Sequence, residues 1–169
     1  MKGSSHMVGG LITGVFLASV IKCSPIQNGE IVALTTIAAR LPDVDLPTSS
    51  MGRKTWLISN PINKLFGHRG FIHSPLFVFA LGYLLKTLNC PNLILYSFIF
   101  GCTNHLFLDY FTQGGIPLFY PLSKKRYRLS KKKSGGKFEK IRCLILTTIY
   151  CCFVYFFIKA FILNSFYLF

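Results

Sequence analysis

Histidine and aspartate side chains are concentrated in one polar stretch of an otherwise apolar chain. The whole sequence contains five acidic residues and four histidines. Residues 41–74 hold two of the aspartates and two of the histidines, namely Asp43, Asp45, His68 and His73. Imidazole and carboxylate groups together are ligands that suit zinc, manganese or iron. We therefore interpret this stretch as part of a metal site.

The two aspartates lie between Pro42 and Pro47. Because proline disfavours a helical conformation in the residue before it, we expect an extended segment here. Residues i and i+2 of an extended chain point the same way, so Asp43 and Asp45 would bind one cation or bridge two. The alternative interpretation is a turn that ends a helix and carries solvated aspartates.

His68 and His73 flank a short segment that contains Arg69 and Gly70. A separation of five residues is about 140° around a helix, which would keep the two imidazoles apart on one straight helix. A turn over residues 67–70 that leads into a helix would instead let them converge on one ion or on neighbouring ions. Arg69 would bind an anionic group such as phosphate, because its planar fork matches phosphate oxygens. A hydrated loop at a membrane surface is the alternative.

The last histidine and the remaining aspartate lie within an apolar segment. His105 and Asp109 are spaced i to i+4, so a helix would place them on one face. Ionisable groups inside an apolar span are costly and are usually functional. A hydrogen bond between this pair that holds helices together is one alternative. A metal or proton transporter that uses the pair is another.

The composition indicates an integral membrane protein, since hydrophobic residues make up 51% of the chain and charged residues 14%. A full helical span needs about 20 apolar residues. Five apolar runs are candidates for membrane helices, and they cover residues 8–21, 31–39, 71–85, 93–111 and 141–163. We expect an all-α integral membrane bundle of about five apolar helices. Residues 1–169 would form a single domain.

The basic residues predict the orientation of this bundle. The formal net charge is +14, and a dense basic tract lies between the last two apolar runs, in the loop of residues 122–140. The positive-inside rule places this loop in the cytoplasm, along anionic lipid headgroups. Counting spans back from it places the N-terminus and residues 43–68 on the same side. All histidines and aspartates then lie at cytoplasmic helix ends, which is where we expect the metal site.

His6 would join this set of ligands if it belongs to the protein. The first residues, MKGSSHM, resemble those left by an expression vector, so His6 is either native or a cloning remnant. Six or seven histidine and aspartate ligands exceed what one tetrahedral ion needs. A site with two or more metals is therefore favoured, an arrangement commonly used to split phosphate esters.

Three segments, together with His6, carry a family resemblance. They read LPDVDLPTSS, ISNPINKLFGHRGFIHS and GCTNHLFLDYFTQGGIPLFYP. In this order they resemble the YdjM-like family of LexA-regulated, inner-membrane, metal-dependent hydrolases, over most of the chain up to Pro121. That family is distantly similar to the all-helical zinc-dependent phospholipase C and single-strand nuclease superfamily, an analogy that gives no substrate by itself.

The resemblance implies a location in the bacterial inner membrane and a polynuclear site. The implied metal ligands are His6, Asp43, Asp45, His68, His73, His105 and Asp109. It implies no role for the basic tract or for the last helix.

We therefore expect a membrane-bound, metal-dependent phosphoester hydrolase with two or more zinc ions, or else manganese or iron. The candidate catalytic groups are Asp43, Asp45 and Arg69. Membrane lipids are the expected partners, because a site at the membrane surface gives a phospholipid or lipid-linked phosphate lateral access. Nucleic acid is the second choice, since no aromatic-interleaved strand suggests base stacking. The alternative from another class is a non-enzymatic membrane protein with a structural metal site or a basic loop that recruits a partner.

Overall fold

A computed structural model of the chain describes residues 1–21, 23–131 and 138–166. The described part folds into seven α-helices: α1 (Gly3–Ile21), α2 (Pro25–Ala38), α3 (Ser50–Lys54), α4 (Trp56–Phe66), α5 (Pro75–Thr87), α6 (Asn92–Tyr110) and α7 (Glu139–Phe166). Two short 3-10 helices, η1 and η2, cover Leu41–Asp45 and Phe71–His73. The predicted all-α class is confirmed.

The five apolar runs of the sequence correspond to α1, α2, α5, α6 and α7. Two of these helices are long and apolar enough to cross a membrane, namely α1 and the part of α7 from Glu139 to Phe157. Helix α5 is apolar but shorter. Length and composition therefore support two candidate membrane spans among the described residues.

Small residues allow α1, α2 and α6 to pack closely. A Cβ added to Gly14 of α1 would come within 2.8 Å of the Val32 Cα of α2. A Cβ added to Gly101 of α6 would come within 2.6 Å of the Thr35 carbonyl oxygen. Such contacts between small residues are the usual means of close helix association in membranes. Helix α7 packs against α1, and α5 packs against α6.

The aspartate segment is the 3-10 helix η1, so the prediction of an extended segment was wrong. The Asp43 amide donates to the Arg40 carbonyl oxygen at 3.2 Å, and the Leu46 amide donates to the Asp43 carbonyl oxygen at 3.2 Å. Only Leu46, which precedes Pro47, adopts the extended conformation (φ −110°, ψ 101°) that a following proline favours. Successive residues of a 3-10 helix are about 120° apart, so Asp43 and Asp45 do not share a face.

Helices α3 and α4 lie in the polar stretch between the aspartates and the histidines. The Ser49 hydroxyl accepts a hydrogen bond from the Gly52 amide at 2.8 Å and so caps α3. Helix α4 exposes Trp56 and Leu65 beside Lys64. An exposed apolar surface with a tryptophan and a lysine is typical of a helix that lies in the membrane interface.

The basic loop of residues 122–140 is described only at its two ends, since residues 132–137 lie outside the described part of the chain. Its first part pairs with the segment after α6. The Ile116 amide donates to the Tyr127 carbonyl oxygen at 3.0 Å, and the Tyr127 amide donates to the Ile116 carbonyl oxygen at 2.8 Å. This β-bridge fixes the start of the loop next to the end of α6. The single-domain organisation and the cytoplasmic position of the loop stay predictions.

Candidate metal centre

The fold brings five of the predicted ligands together into two groups. One group consists of His6, His105 and Asp109, and the other of Asp43, His73 and His105. Within each group the ligand atoms lie within 4.8 Å of one another. These residues come from α1, η1, η2 and α6, so distant parts of the chain meet at one end of the bundle. Because His105 belongs to both groups, they form one continuous cluster, which we call the metal centre.

The metal centre is buried but open on one side. His6, His73 and His105 have an exposed fraction of 0%, and Asp109 has one of 1%. The side chain of Asp43 is 15% exposed and forms the more accessible edge. Buried ionisable groups are stable when they are paired or when they coordinate metals.

Hydrogen bonds fix the ring orientations of His73 and His105. The Nδ1 of His105 lies 2.7 Å from the Ala39 carbonyl oxygen, so Nδ1 must carry the proton and donate it. The Nδ1 of His73 lies 2.9 Å from Oδ2 of Asp45, an acceptor when the carboxylate is ionised. A neutral imidazole carries one N–H, so both Nε2 atoms present lone pairs to the cluster. Metal-ligating histidines are usually held in this way by a partner behind the ring.

The Nε2 atoms of His73 and His105 lie 3.2 Å apart. With the protons on the Nδ1 atoms, two lone pairs face each other, an arrangement that is repulsive until a cation is bound. Two nitrogen ligands of one tetrahedral zinc, each about 2.05 Å from the ion, lie about 3.3 Å apart. The donor types and this separation therefore fit a divalent transition metal.

His6 is an integral part of the metal centre. Its ring stacks on that of His105 with the centroids 3.7 Å apart, and its Nε2 lies 3.3 Å from Oδ1 of Asp109. Among the described residues, Nδ1 of His6 has no hydrogen-bond partner, and the approach of Nε2 to Asp109 does not meet hydrogen-bond geometry. A buried imidazole that is not fully hydrogen-bonded is unusual and needs a cause. Metal coordination supplies one.

Asp109 lies close to cationic groups and imidazole nitrogens from several elements. It pairs with the amino group of Met1, and its Oδ2 lies 2.7 Å from Nη2 of Arg69. The Nε2 of His105 lies 3.8 Å from the same oxygen. The prediction that His105 and Asp109 share one face of a helix is confirmed.

Asp45 and His68 lie outside both groups of the metal centre. Asp45 Oδ1 is 2.8 Å from Nδ1 of His68, and Oδ2 accepts a hydrogen bond from the Arg69 amide at 2.9 Å. Burial by itself would raise the pKa of Asp45, but the hydrogen bonds and charges of His68 and His73 outweigh it and lower that pKa to about 2. The carboxylate is thus ionised and orients two imidazoles. Direct metal ligation by Asp45 and His68 stays a prediction.

Residues 67–70 form the predicted turn, and it leads through η2 into α5. Gly67 and Arg69 have φ values of 70° and 60°. A positive φ is uncommon for arginine and is found mostly where the surrounding structure enforces it. The turn brings His68 and His73 to the two oxygens of one carboxylate. The predicted convergence of the two histidines on a metal ion stays a prediction.

The guanidinium of Arg69 lies between α6 and the segment that follows it. Its Nη1 donates to Thr112 Oγ1 and to the Gly115 carbonyl oxygen, both at 3.2 Å. A Cβ added to Gly114 would overlap the guanidinium. The sequence analysis missed these partners, although the Gly114–Gly115 pair just after Asp109 is a signal for close backbone approach. The catalytic role of Arg69 stays a prediction.

Comparison with known proteins identifies the family. The model of the YdjM inner membrane protein family matches residues 1–166. The chain belongs to this family. The resemblance stated from the sequence is therefore confirmed, and the inner-membrane location follows from membership. The matched residues include His6.

Two relatives show how far the YdjM family similarity extends. The chain is 32% identical to inner membrane protein YdjM of Escherichia coli (strain K12) over 156 residues, which cover 86% of this chain and 79% of that protein. It is 30% identical to uncharacterized protein YvsG of Bacillus subtilis (strain 168) over 156 residues, covering 92% of this chain and 95% of that one. No solved structure matches the chain significantly.

Proposed function

We propose that this YdjM family member is a membrane-bound, metal-dependent phosphoester hydrolase that acts on a phospholipid or a lipid-linked phosphate. The observation that carries the proposal is the shared His105, which joins two ligand groups into one buried cluster. Adjacent metal sites of this kind are the arrangement that many phosphoester-cleaving enzymes use. Zinc is the preferred metal, with manganese or iron as further candidates.

In the proposal, the five residues would hold two neighbouring ions, with His6 and Asp109 on one side and Asp43 and His73 on the other. The single lone pair on Nε2 of His105 would bind one of the two ions. Divalent ions at such sites supply Lewis acidity towards phosphoryl oxygens and make water a stronger nucleophile at neutral pH. Asp43 lies at the accessible edge of the cluster, so it is the carboxylate best placed to accept a proton from an attacking water. Asp45 acts behind the histidines, where it keeps the proton of His73 on Nδ1.

A large apolar groove supports a lipid substrate. It has a volume of about 710 Å³ and is lined by residues of α5, α6 and α7 together with Ile116 and Leu118. Two of its lining residues, Pro75 and Tyr110, lie next to metal-centre elements, because Pro75 follows η2 and Tyr110 directly follows Asp109. In the proposal, this groove along α5, α6 and α7 holds a lipid tail while the phosphate of the same lipid reaches the ligands.

A substitution that partly fills the groove tests whether the substrate is a lipid or a soluble phosphate ester. Gly82 of α5 lines the groove, so Gly82→Phe would occupy part of it. The added Cβ would lie 3.1 Å from Cδ1 of Ile99, a contact that a small shift of this side chain relieves. We expect this variant to lose hydrolysis of long-chain lipid phosphates but to retain cleavage of a soluble aryl phosphate. Equal loss on both substrates would argue against a tail groove.

The runner-up is a structural metal site in a non-enzymatic protein. The burial of His6, His73, His105 and Asp109 favours it, since structural sites are closed. The partial exposure of Asp43 favours the catalytic alternative.

The proposed function is tested by an activity screen of purified, zinc-loaded protein in detergent. Phospholipids, lipid-linked phosphates, single-stranded DNA and RNA should be offered in parallel. We expect cleavage of a lipid substrate that disappears in Asp43→Ala and His105→Ala but persists in Asn60→Ala, a substitution at an exposed position of α4. Cleavage of nucleic acid without lipid would refute the lipid assignment. Inactivity on every substrate in metal-loaded protein would favour the structural site.

A further inference from the structure

A small pocket next to the metal centre is lined by three cationic side chains. The pocket has a volume of about 80 Å³, and its walls include Arg69, Gly70, Tyr120, Lys124 and Arg126. None of its lining residues, all within the described part of the chain, is acidic. We call it the basic pocket. It is distinct from the apolar groove, with which it shares no lining residue.

Two of the three cations of the basic pocket, Arg69 and Arg126, are held in place by the fold. Nη2 of Arg126 donates to the His68 carbonyl oxygen at 2.9 Å, which ties the basic loop to the turn of residues 67–70. The β-bridge between Ile116 and Tyr127 fixes the backbone next to Arg126. Arg69 is anchored on the other side by Thr112 and by the carbonyl of residue 115. These two guanidinium groups and the Lys124 ammonium line one small cavity, so they repel one another unless an anion lies between them.

Arg69 connects the basic pocket with the metal centre. Its Nη2 binds Asp109, and its Nη1 makes the two hydrogen bonds described above. These contacts use three of the five N–H groups of a guanidinium, so N–H groups remain for a ligand in the pocket. An anion bound there would lie beside the residue that contacts a metal-centre carboxylate.

We infer that the basic pocket binds a phosphate group of the substrate next to the one at the metal centre. The chemical class is a tetrahedral phosphate oxyanion, as in a diphosphate, because arginine and lysine donors are the usual partners of phosphate oxygens. That this phosphate belongs to the substrate rests on the proposed function, whereas phosphate binding by the basic pocket does not. Lys124 and Arg126 thereby become recognition residues in the basic tract, whose residues had no individual roles in the sequence analysis.

The test is phosphate binding by the purified protein in detergent, with metal content measured for every variant. Inorganic phosphate and pyrophosphate should each be titrated by calorimetry into wild type, Lys124→Gln, Arg126→Gln and Lys125→Gln. Lys125 is the matched control, because it lies between the two pocket residues and its Nζ is directed at the Tyr127 ring, 5.6 Å from the centroid. Lys124 is exposed, so its substitution should leave the fold intact even if Arg126→Gln disturbs the turn.

We expect Lys124→Gln and Arg126→Gln each to bind phosphate about tenfold more weakly than wild type, because each variant loses one charge-assisted contact. Their metal content should be unchanged. Lys125→Gln should bind as wild type does. No binding to wild type, or equal weakening by Lys125→Gln, would overturn the inference. Failure of the proposed function would show instead as absent metal or absent hydrolysis, with the phosphate-binding pattern intact.

Discussion

Replacing Asp45 tests whether its carboxylate orients histidines or binds metal directly. In Asp45→Ala, both imidazole Nδ1 atoms and the Arg69 amide lose their acceptor. His73 can then move its proton to Nε2, which removes the lone pair that faces the metal centre. Loss of such a partner behind a ligating histidine typically costs 10- to 100-fold in metal affinity, or about 1.4–2.7 kcal/mol.

The conservative variant Asp45→Asn should have a smaller effect. We expect its amide oxygen to take the position of Oδ2, because an NH₂ group there would face two donors, His73 Nδ1 and the Arg69 amide. The NH₂ group then faces His68, which can accept by changing its tautomer. We therefore expect affinity losses of about 10-fold for Asp45→Asn and about 100-fold for Asp45→Ala, the two ends of the usual range.

Competition with a zinc-binding chromophore would measure both affinity and stoichiometry. The expected result is reduced affinity with wild-type stoichiometry at saturating zinc for both variants. Loss of a full equivalent of zinc in Asp45→Ala would refute the orienting role and make Asp45 a direct ligand. Unchanged affinity in Asp45→Ala would refute both roles.

Three further predictions concern stability, packing and membrane contact. The lowered pKa of Asp45, from 3.8 to about 2, means that its stabilisation is present above pH 3.8 and is lost as the pH falls through about 2. The unfolding free energy of wild type should therefore exceed that of Asp45→Asn by about 2 kcal/mol at pH 5 and converge with it near pH 2, whereas a constant difference would contradict the shift. Gly101→Val should destabilise the fold by about 1–3 kcal/mol in detergent unfolding, because its side chain would push α6 away from Thr35, while Gly29→Val, with no neighbour within 4 Å of a Cβ, is the control. Trp56, the single tryptophan, should be quenched by lipids brominated near the headgroup and not by a soluble quencher, and the reverse pattern would remove α4 from the membrane interface.

Local geometry explains which parts of the site could be predicted from the sequence. His105 and Asp109 meet because a spacing of i to i+4 defines one helix face, whatever the helix packs against. The turn at residues 67–70 followed from its two glycines, which supply the positive φ and the close approach that it needs. Apolar runs of sufficient length became helices for the same local reason.

The remaining features of the site depend on long-range contacts that no local sequence pattern predicts. The restriction imposed by Pro47 reaches only Leu46, so η1 forms and directs Asp45 away from Asp43. The partners of Asp45 follow it by 23 to 28 residues, and only the folded chain shows that its carboxylate lies behind the histidines. The ion pair between Arg69 and Asp109 likewise joins two motifs that the sequence analysis had treated separately.

The central claim is that the cluster of histidines and aspartates around His105 holds two adjacent metal ions. Elemental analysis of protein purified without chelator, compared with His105→Ala, tests it most directly. The account predicts about two equivalents of a divalent transition metal, mainly zinc, in wild type, and a lower metal content in His105→Ala, because the Nε2 ligand of this residue is lost. Wild-type protein without metal, or His105→Ala with the wild-type metal content, would contradict the account.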